Sequence, residues 1–452
     1  MEKQKRLGKD PIPKLLIKFS IPAIIGMLIN VLYNIVDRIF IGQGVGALAI
    51  SGVGLTFPFM TILMAFGMLV GIGGAALVSI KLGENKFEEA QNILGNSFIL
   101  LIIVSLIVTF ATISSMDFLL NLFGASETTF GYAKDYITII MAGAIFNCVG
   151  FGLNNSIRSD GSPNIAMMTN LLGAITNIIL DYLFIMKFNM GIKGAAYATV
   201  IGQTLNTVWV LYYFTKGKGN LKLKKKYFKL DMNIVKAIFA IGMSPFAIQL
   251  ASSVVNVLAN TTLKANGGDY AIGTMSILIS IVMIFLMPIF GLNQGSQPII
   301  GYNYGAKLYH RVKHALSITI ISATSICIIG AIIVQTNPSF LINIFTHDEN
   351  ILQIGTSGIK IFFLMLPVIG FQIITSNFFQ AIGKARISLL LSLSRQVLIL
   401  IPLLIILPKY FGLNGVWMSY PISDITSTLL TTVFLKIELK DLKKKESETN
   451  II

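Results

Sequence analysis

The chain has 452 residues, 54% of them hydrophobic and only 12% charged, with a mean hydropathy of +0.77. A soluble protein of this length could not keep that much apolar side chain from water, which leaves the class of polytopic membrane proteins. The formal net charge of +15 would suggest a nucleic-acid partner in a soluble chain, so the placement of the cations decides what it means.

Apolar runs of membrane-spanning length fall at roughly 14–38, 52–79, 93–116, 133–156, 163–186, 192–214, 236–262, 271–298, 312–335, 354–380, 387–407 and 413–435. None shows the period-2 alternation of barrel strands, and in lipid a helix satisfies its own backbone. The expected fold class is an all-α polytopic membrane protein of about twelve transmembrane helices. Assigning the loops alternately to two sides places most of the Lys and Arg on the side of the N-terminus, including Arg6, Lys9, Lys14, Lys18, the cluster at 216–229 and Lys443 to Lys445. Both termini and that cluster are therefore expected to face the cytoplasm, with the lipid bilayer and not nucleic acid as the partner. The basic cluster reads as a connector, with a lipid-headgroup role as the alternative.

In the first span Asn30, Asn34 and Asp37 fall at i, i+4 and i+7, on one helical face, with Met27 one turn before Asn30. Met60 in the second span and Asn154 in the fourth are further candidates to line a substrate cavity, Met for its adaptable packing. In the fifth span Asn170, Asn177 and Asp181 share a face, and in the sixth Thr199, Gln203 and Asn206 repeat the i, i+4, i+7 spacing. A carboxylate at the centre of a membrane helix costs about 2.5–3.5 kcal/mol on insertion scales, so Asp37 and Asp181 are expected to meet water, a proton or a cation. Two carboxyls in a poorly solvated cavity can share one proton. They can equally cage Na⁺, for which Asn34, Asn177 and Thr199 offer neutral oxygens. The amides and hydroxyls taken singly could also simply join helices. In the second half the seams Ser252, Asn256, Asn260 and Gln372, Ser376, Gln380 carry no acid. Asp424, with Ser427 and Thr428 along its face in the twelfth span, is either a second protonation site or a helix-to-helix acceptor. Cys148 and Cys327 lie in different apolar runs and read as packing residues. His310, His314 and His347 sit in or beside loops, which argues against an intramembrane enzyme, and no cofactor is expected beyond a coupling cation, H⁺ or Na⁺.

The chain also repeats itself about 222 residues apart: Ala49-Ile50 returns as Ala271-Ile272, Gly73 as Gly295, Gly83 as Gly305, Asn155 as Asn377 and Gly161 as Gly383. With a drift of one residue, Pro22 returns as Pro245 and Gly191/Gly194 as Gly412/Gly415. Asp37 answers to Asn260 and Asp181 to Leu403, so the two acids belong to one copy. The repeat predicts an N-lobe over 1–215, a basic linker over 216–235, a C-lobe over 236–440 and a tail over 441–452, with binding near the bilayer midplane.

The segment Asn34-Ile-Val-Asp37-Arg-Ile-Phe-Ile-Gly42 with Pro22 upstream, Asn177-Ile-Ile-Leu-Asp181, Gly194-Ala-Ala-Tyr-Ala-Thr199 and Arg158-Ser-Asp160-Gly161-Ser-Pro163-Asn164 together resemble, in order, motifs of the multidrug and toxic compound extrusion (MATE) family, in its MepA-like bacterial branch. The resemblance implies two V-arranged six-helix lobes in a bacterial plasma membrane, working as a monomer and exporting cationic amphipathic compounds in exchange for H⁺ or Na⁺. It places Asp37 and Asp181 on the ion-site acids, with Asn177 and Thr199 as their partners. The chain departs from the branch with acidic seventh and tenth helices, having Asn256, Asn260, Gln372 and Asn377 there. The alternative within the same superfamily is a lipid-linked oligosaccharide flippase, whose pyrophosphate cargo would call for a cavity rich in Arg and Lys.

Overall fold

The computed structural model describes residues 2–217 and 219–449. Residue 218 of the expected linker and the last three residues of the expected tail lie outside them. Among the described residues the chain is helical almost throughout and contains no strand. The first half runs through α1 (Glu2–Lys9), α2 (Ile12–Gly44), α3 (Ala47–Leu55), α4 (Phe57–Gly83), α5 (Phe87–Leu122), α6 (Glu127–Ala142), α7 (Ala144–Ser159), α8 (Pro163–Asp181) and α9 (Gly191–Thr215). The second runs through α10 (Met232–Gly305), α11 (Tyr309–Thr336), α12 (Pro338–Asn343), α13 (Glu349–Phe362), α14 (Leu366–Ala381), α15 (Ala385–Leu393) and α16 (Ile401–Thr449). Two wider π-helical turns, Tyr182–Lys187 and Ser394–Leu400, follow α8 and α15.

Seven helical segments among the described residues are long and apolar enough to cross a membrane, and the bent pairs α6–α7 and α13–α14 raise the number to nine. The remaining expected runs are present but joined or more polar. The 74-residue α10 is broken at Gly268, and α16 is broken at Gly412, each in the left-handed region that excludes a regular helix, so each holds two runs. The helix α9, with its polar seam, supplies the twelfth. The protein is thus an all-α polytopic membrane protein.

The repeat in the sequence is also a repeat of backbone conformation. The bends between α6 and α7 and between α13 and α14 are 56° and 52°. Left-handed residues recur with the sequence repeat: Gly46 with Gly268, Asn85 (φ 60) with Lys307 (φ 59), Gly161 (φ 86) with Gly383 (φ 78), and, with the drift of one residue, Gly191 (φ 58) with Gly412 (φ 55). Asn85 and Lys307 hold that conformation without being glycine, so the turn geometry and not the residue type has been kept.

The chain divides into two compact units, Met1–Lys9 with Ile21–Phe246, and Asp10–Ser20 with Ala247–Ile452. The boundary lies beyond the expected linker because the start of α10 packs into the first unit. A methyl group on Gly242 would land on the backbone of Leu69, and one on Gly73 on that of Ile238; Phe66 and Phe246 meet with ring centroids 4.9 Å apart. In the second unit Arg311 donates to the carbonyl of Asp10 at 2.6 Å.

The connecting segment is strapped down along its length. Asp160, fully buried in the turn after α7, accepts from the Tyr213 hydroxyl at 2.6 Å and from the backbone N–H groups of Asn220 at 2.8 Å and Leu221 at 3.2 Å. Asn96 accepts from the Asp231 N–H at 2.8 Å, and Glu88 accepts from both Lys226 and Tyr227 at 2.7 Å. One carboxylate therefore satisfies three donors that would otherwise be orphaned. With each hydrogen bond to a charged group worth about 1.5–3 kcal/mol, Asp160→Ala is expected to destabilise the protein by roughly 3 kcal/mol or more. Thermal unfolding in detergent should show the drop in midpoint, and limited proteolysis should show new cleavage over 219–231.

Candidate functional site

Three helices of the first unit converge because glycines let two of them touch. A Cβ built on Gly173 of α8 would meet the Gly202 carbonyl at 3.2 Å, and one on Gly202 of α9 would meet the Gly173 carbonyl at 2.8 Å. Small residues at such a crossing allow backbones to approach where lipid provides no hydrophobic drive. The close approach brings the polar seams of α8 and α9 together: Asn177 donates to the Thr199 hydroxyl at 3.4 Å, and Asn206 donates to Asn170 Oδ1 at 3.4 Å. From α2, Gly26 passes within 3.3 Å of the Asn170 amide, measured from the Cβ it lacks. Asn30, Tyr33, Asn170, Asn177, Thr199 and Gln203 are among the residues lining the resulting cavity of about 60 Å³.

Asp37 and Asp181 stand beside this cavity within hydrogen-bonding reach of one another. Asp181 is 0% exposed and Asp37 7%. Both oxygens of Asp181, Oδ1 of Asp37, Oδ1 of Asn177, Oε1 of Gln203 and Oδ1 of Asn206 are buried without a hydrogen-bond partner. Two carboxylates offer each other only acceptors, so a bond between them exists only when one carries a proton. Arg38 adjoins Asp37 in sequence but is exposed and forms no ion pair with it among the described residues.

Unpaired buried charges are expensive by several kcal/mol each, and such a cluster of acceptors calls for a proton, a cation or water. The size narrows the choice, since a water in the liquid takes about 30 Å³ and a drug-sized ligand needs about 300–1,000 Å³. The cavity takes an ion or a few waters but not a drug-sized ligand. The donor set, two carboxylates with Asn177 Oδ1 and Thr199 Oγ1, suits a hard monovalent cation as well as it suits a proton. The described residues contain no group of three or more His, Cys, Asp or Glu that could hold a metal.

Asp37, Asp181, Asn177 and Thr199 thus come together, with Asn30 and Gln203 in the cavity wall. Other expected site residues lie elsewhere. Asn34 is exposed and donates to the carbonyl of Asn30 at 2.6 Å, a bond within its own helix. Asn154 is buried and donates to the Ala166 carbonyl at 2.9 Å and to the Thr169 hydroxyl, which makes it a tie between α7 and α8 and leaves no amide proton for a substrate. Met27 and Met60 are half-buried and do not line the cavity, and Asn256 is exposed on α10 in the second unit. Asp424, also in the second unit, accepts from Arg395 Nε at 2.6 Å, so its charge is already paired. That pairing places Asp424 apart from the cluster of Asp37 and Asp181 and fits the helix-to-helix reading; the mid-span Arg395 is the signal in the sequence that goes with it.

Two tyrosines were missed. Tyr33 of α2, one turn before Asp37, lines the cavity, and Tyr136 of α6 is buried within reach of the Thr199 hydroxyl and close to both acids. The i−4 spacing to Asp37 could have revealed Tyr33. Nothing in the run around Tyr136 distinguishes it from core. The π-helical turn Tyr182–Lys187 begins directly after Asp181, in keeping with the frequent occurrence of such turns at functional positions.

The family model described as MatE matches this chain twice, over residues 22–183 and 241–406. The multidrug export protein MepA of Staphylococcus aureus strain MSSA476 is 30% identical over 416 residues, covering 92% of each chain. Among solved structures, a MOP superfamily transporter from Pyrococcus furiosus superposes with a TM-score of 0.90 at 26% identity, covering 97% of this chain and 98% of that one. The MATE multidrug transporter DinF-BH, in complex with R6G, does so with a TM-score of 0.88 at 40% identity, covering 95% of this chain and 96% of that one. The two matched segments fall one in each copy of the internal repeat, and the chain belongs to the MatE family.

Proposed function

We propose that the protein is a secondary active antiporter of the bacterial plasma membrane, working as a monomer, that exports cationic amphipathic compounds in exchange for H⁺ or Na⁺ by alternating access. The observation that carries this reading is the pair Asp37 and Asp181, buried with three unpartnered carboxylate oxygens beside an ion-sized cavity. The relatives support the cargo: the S. aureus protein is a multidrug export protein, and DinF-BH is a multidrug transporter seen in complex with R6G. Both termini facing the cytoplasm follows from the loop charges.

Coupling needs one ion to have different affinities in two conformations. An ion or proton at the pair removes the repulsion between two adjacent anions and satisfies the orphaned oxygens. Emptying the site restores both costs, which favours a rearrangement of α2 that parts Asp37 from Asp181 or admits water. Pro22 within α2 removes one backbone hydrogen bond and so provides a place for that helix to bend. The bound ion and the drug are then linked through the position of one helix.

Asp37→Asn and Asp181→Asn are each expected to lower gradient-driven efflux of a cationic dye from proteoliposomes by at least about tenfold, equivalent to roughly 1.4 kcal/mol of lost coupling. Unchanged efflux in both variants would end the coupling assignment, and movement of a pyrophosphoryl lipid but of no cation would substitute a flippase. Asn177→Ala separates the two ions. A Na⁺-coupled protein loses an oxygen ligand and needs several-fold more Na⁺ for half-maximal efflux, whereas a proton-coupled one keeps its response to an imposed pH gradient.

A further inference from the structure

The second unit contains a charge pair at mid-membrane depth that the ion site does not use. Arg395 lies ten residues into the helical run that starts at Ala385, about 15 Å along a helix and so near the middle of a hydrocarbon layer about 30 Å thick. It sits in the π-helical turn Ser394–Leu400. That turn is anchored on both sides. The Arg395 carbonyl accepts from the Ser423 hydroxyl of α16 at 2.6 Å, and Gln396 exchanges hydrogen bonds with Ser252 of α10 at 3.1 and 3.2 Å.

The guanidinium gives only its Nε to Asp424, at 2.6 Å. Its two terminal amino groups make no hydrogen bond among the described residues, and 23% of the side chain is accessible, against 4% for Asp424. Leu390 and Leu398, 41% and 58% exposed, mark the lipid-facing side of this run, and helical geometry puts Arg395 about a third of a turn away from it. Free donors of a cation at this depth are tolerated only where they face water inside the protein. The half of the fork that faces away from Asp424 is therefore held in place, wet and without an acceptor.

We propose that Arg395 is a recognition point for an anionic oxygen of the transported compound, a carboxylate on an amphipathic cation, so that the protein takes zwitterions as well as plain cations. This rests on the drug-efflux reading above. A carboxylate received by the terminal amino groups sits nearer to the guanidinium than to Asp424 on the opposite edge, so attraction outweighs repulsion. The planar fork accepts it through two parallel hydrogen bonds. Asp424 then acts as a positioning residue that aims the fork and keeps an isolated cation from being buried. Asn256, exposed four residues beyond Ser252 on α10, supplies neutral hydrogen-bonding capacity on the neighbouring helix.

The test uses a xanthene dye in two forms that differ at one group, the cationic ethyl ester and the zwitterionic free acid, with binding to the purified full-length protein read by fluorescence polarisation. Wild type is expected to bind both. Arg395→Gln combined with Asp424→Asn removes both charges together and leaves no unpaired ion. It should shift the acid-to-ester affinity ratio against the acid by roughly tenfold or more, the loss expected for a charge-assisted pair. Arg395→Lys, which keeps the ion pair and hence the fold but not the fork, should shift the ratio the same way by a smaller factor. A ratio unchanged in Arg395→Lys and in the double variant overturns the inference, as does a wild type that binds the ester but not the acid. A wild type that binds neither form overturns the drug-efflux reading as well.

Discussion

A carboxylate buried in apolar protein without a donor is unstable until something neutralises it, and the first unit is arranged to keep two of them in that condition. Asp37 and Asp181 come from helices far apart in sequence and are brought into mutual reach. Their oxygens, like those of Asn177 and Gln203 in the wall of the nearby cavity, are buried without a donor. The contact between Gly173 and Gly202 exists to bring the α8 and α9 seams together; bulkier residues there would push the helices apart and dissolve the cluster. A fully satisfied network would be more stable, but it would have no differential affinity for an ion to act on.

The two halves show how a duplicated scaffold can keep its backbone and change its chemistry. Bends of 56° and 52° and paired left-handed turns recur at the spacing of the sequence repeat. A π-helical turn follows α8 in one half and α15 in the other. In the first half it adjoins an acid with no partner, and in the second it carries an arginine that has one. Asp181 is left without a hydrogen-bond partner, whereas Asp424 is paired with an internal cation. The same architectural device thus adjoins an unpaired acid in one half and carries a paired arginine in the other.

Much of the acidic cluster was legible in the sequence. An acid inside an apolar run has few structural uses, and the i, i+4, i+7 spacing of Asn30 and Asp37, and of Thr199 and Gln203, places each set on one face whatever the packing. The amides were harder. Asn34 and Asn154 carry the same chemistry as Asn177, yet one bonds its own helix and the other ties α7 to α8, because an amide can be satisfied locally or across an interface equally well. Tyr136 gave no sign of its position, since an aromatic in an apolar run looks the same whether it packs against lipid, core or an acid. Arg395 went unpaired with Asp424 because the two are 29 residues apart on different helices, and only their crossing joins them.

What the sequence determined by itself was the class of molecule, its duplication and the half that carries the acids. Hydropathy, helical period and repeat spacing are properties of short windows and of self-comparison, and the free energy of placing each segment in lipid is largely local. What only the tertiary structure decided was which polar groups remain unsatisfied. That depends on the partner every donor and acceptor finds across helix crossings, so Asp181 with free oxygens and Asp424 with a bonded one cannot be told apart until the helices are packed.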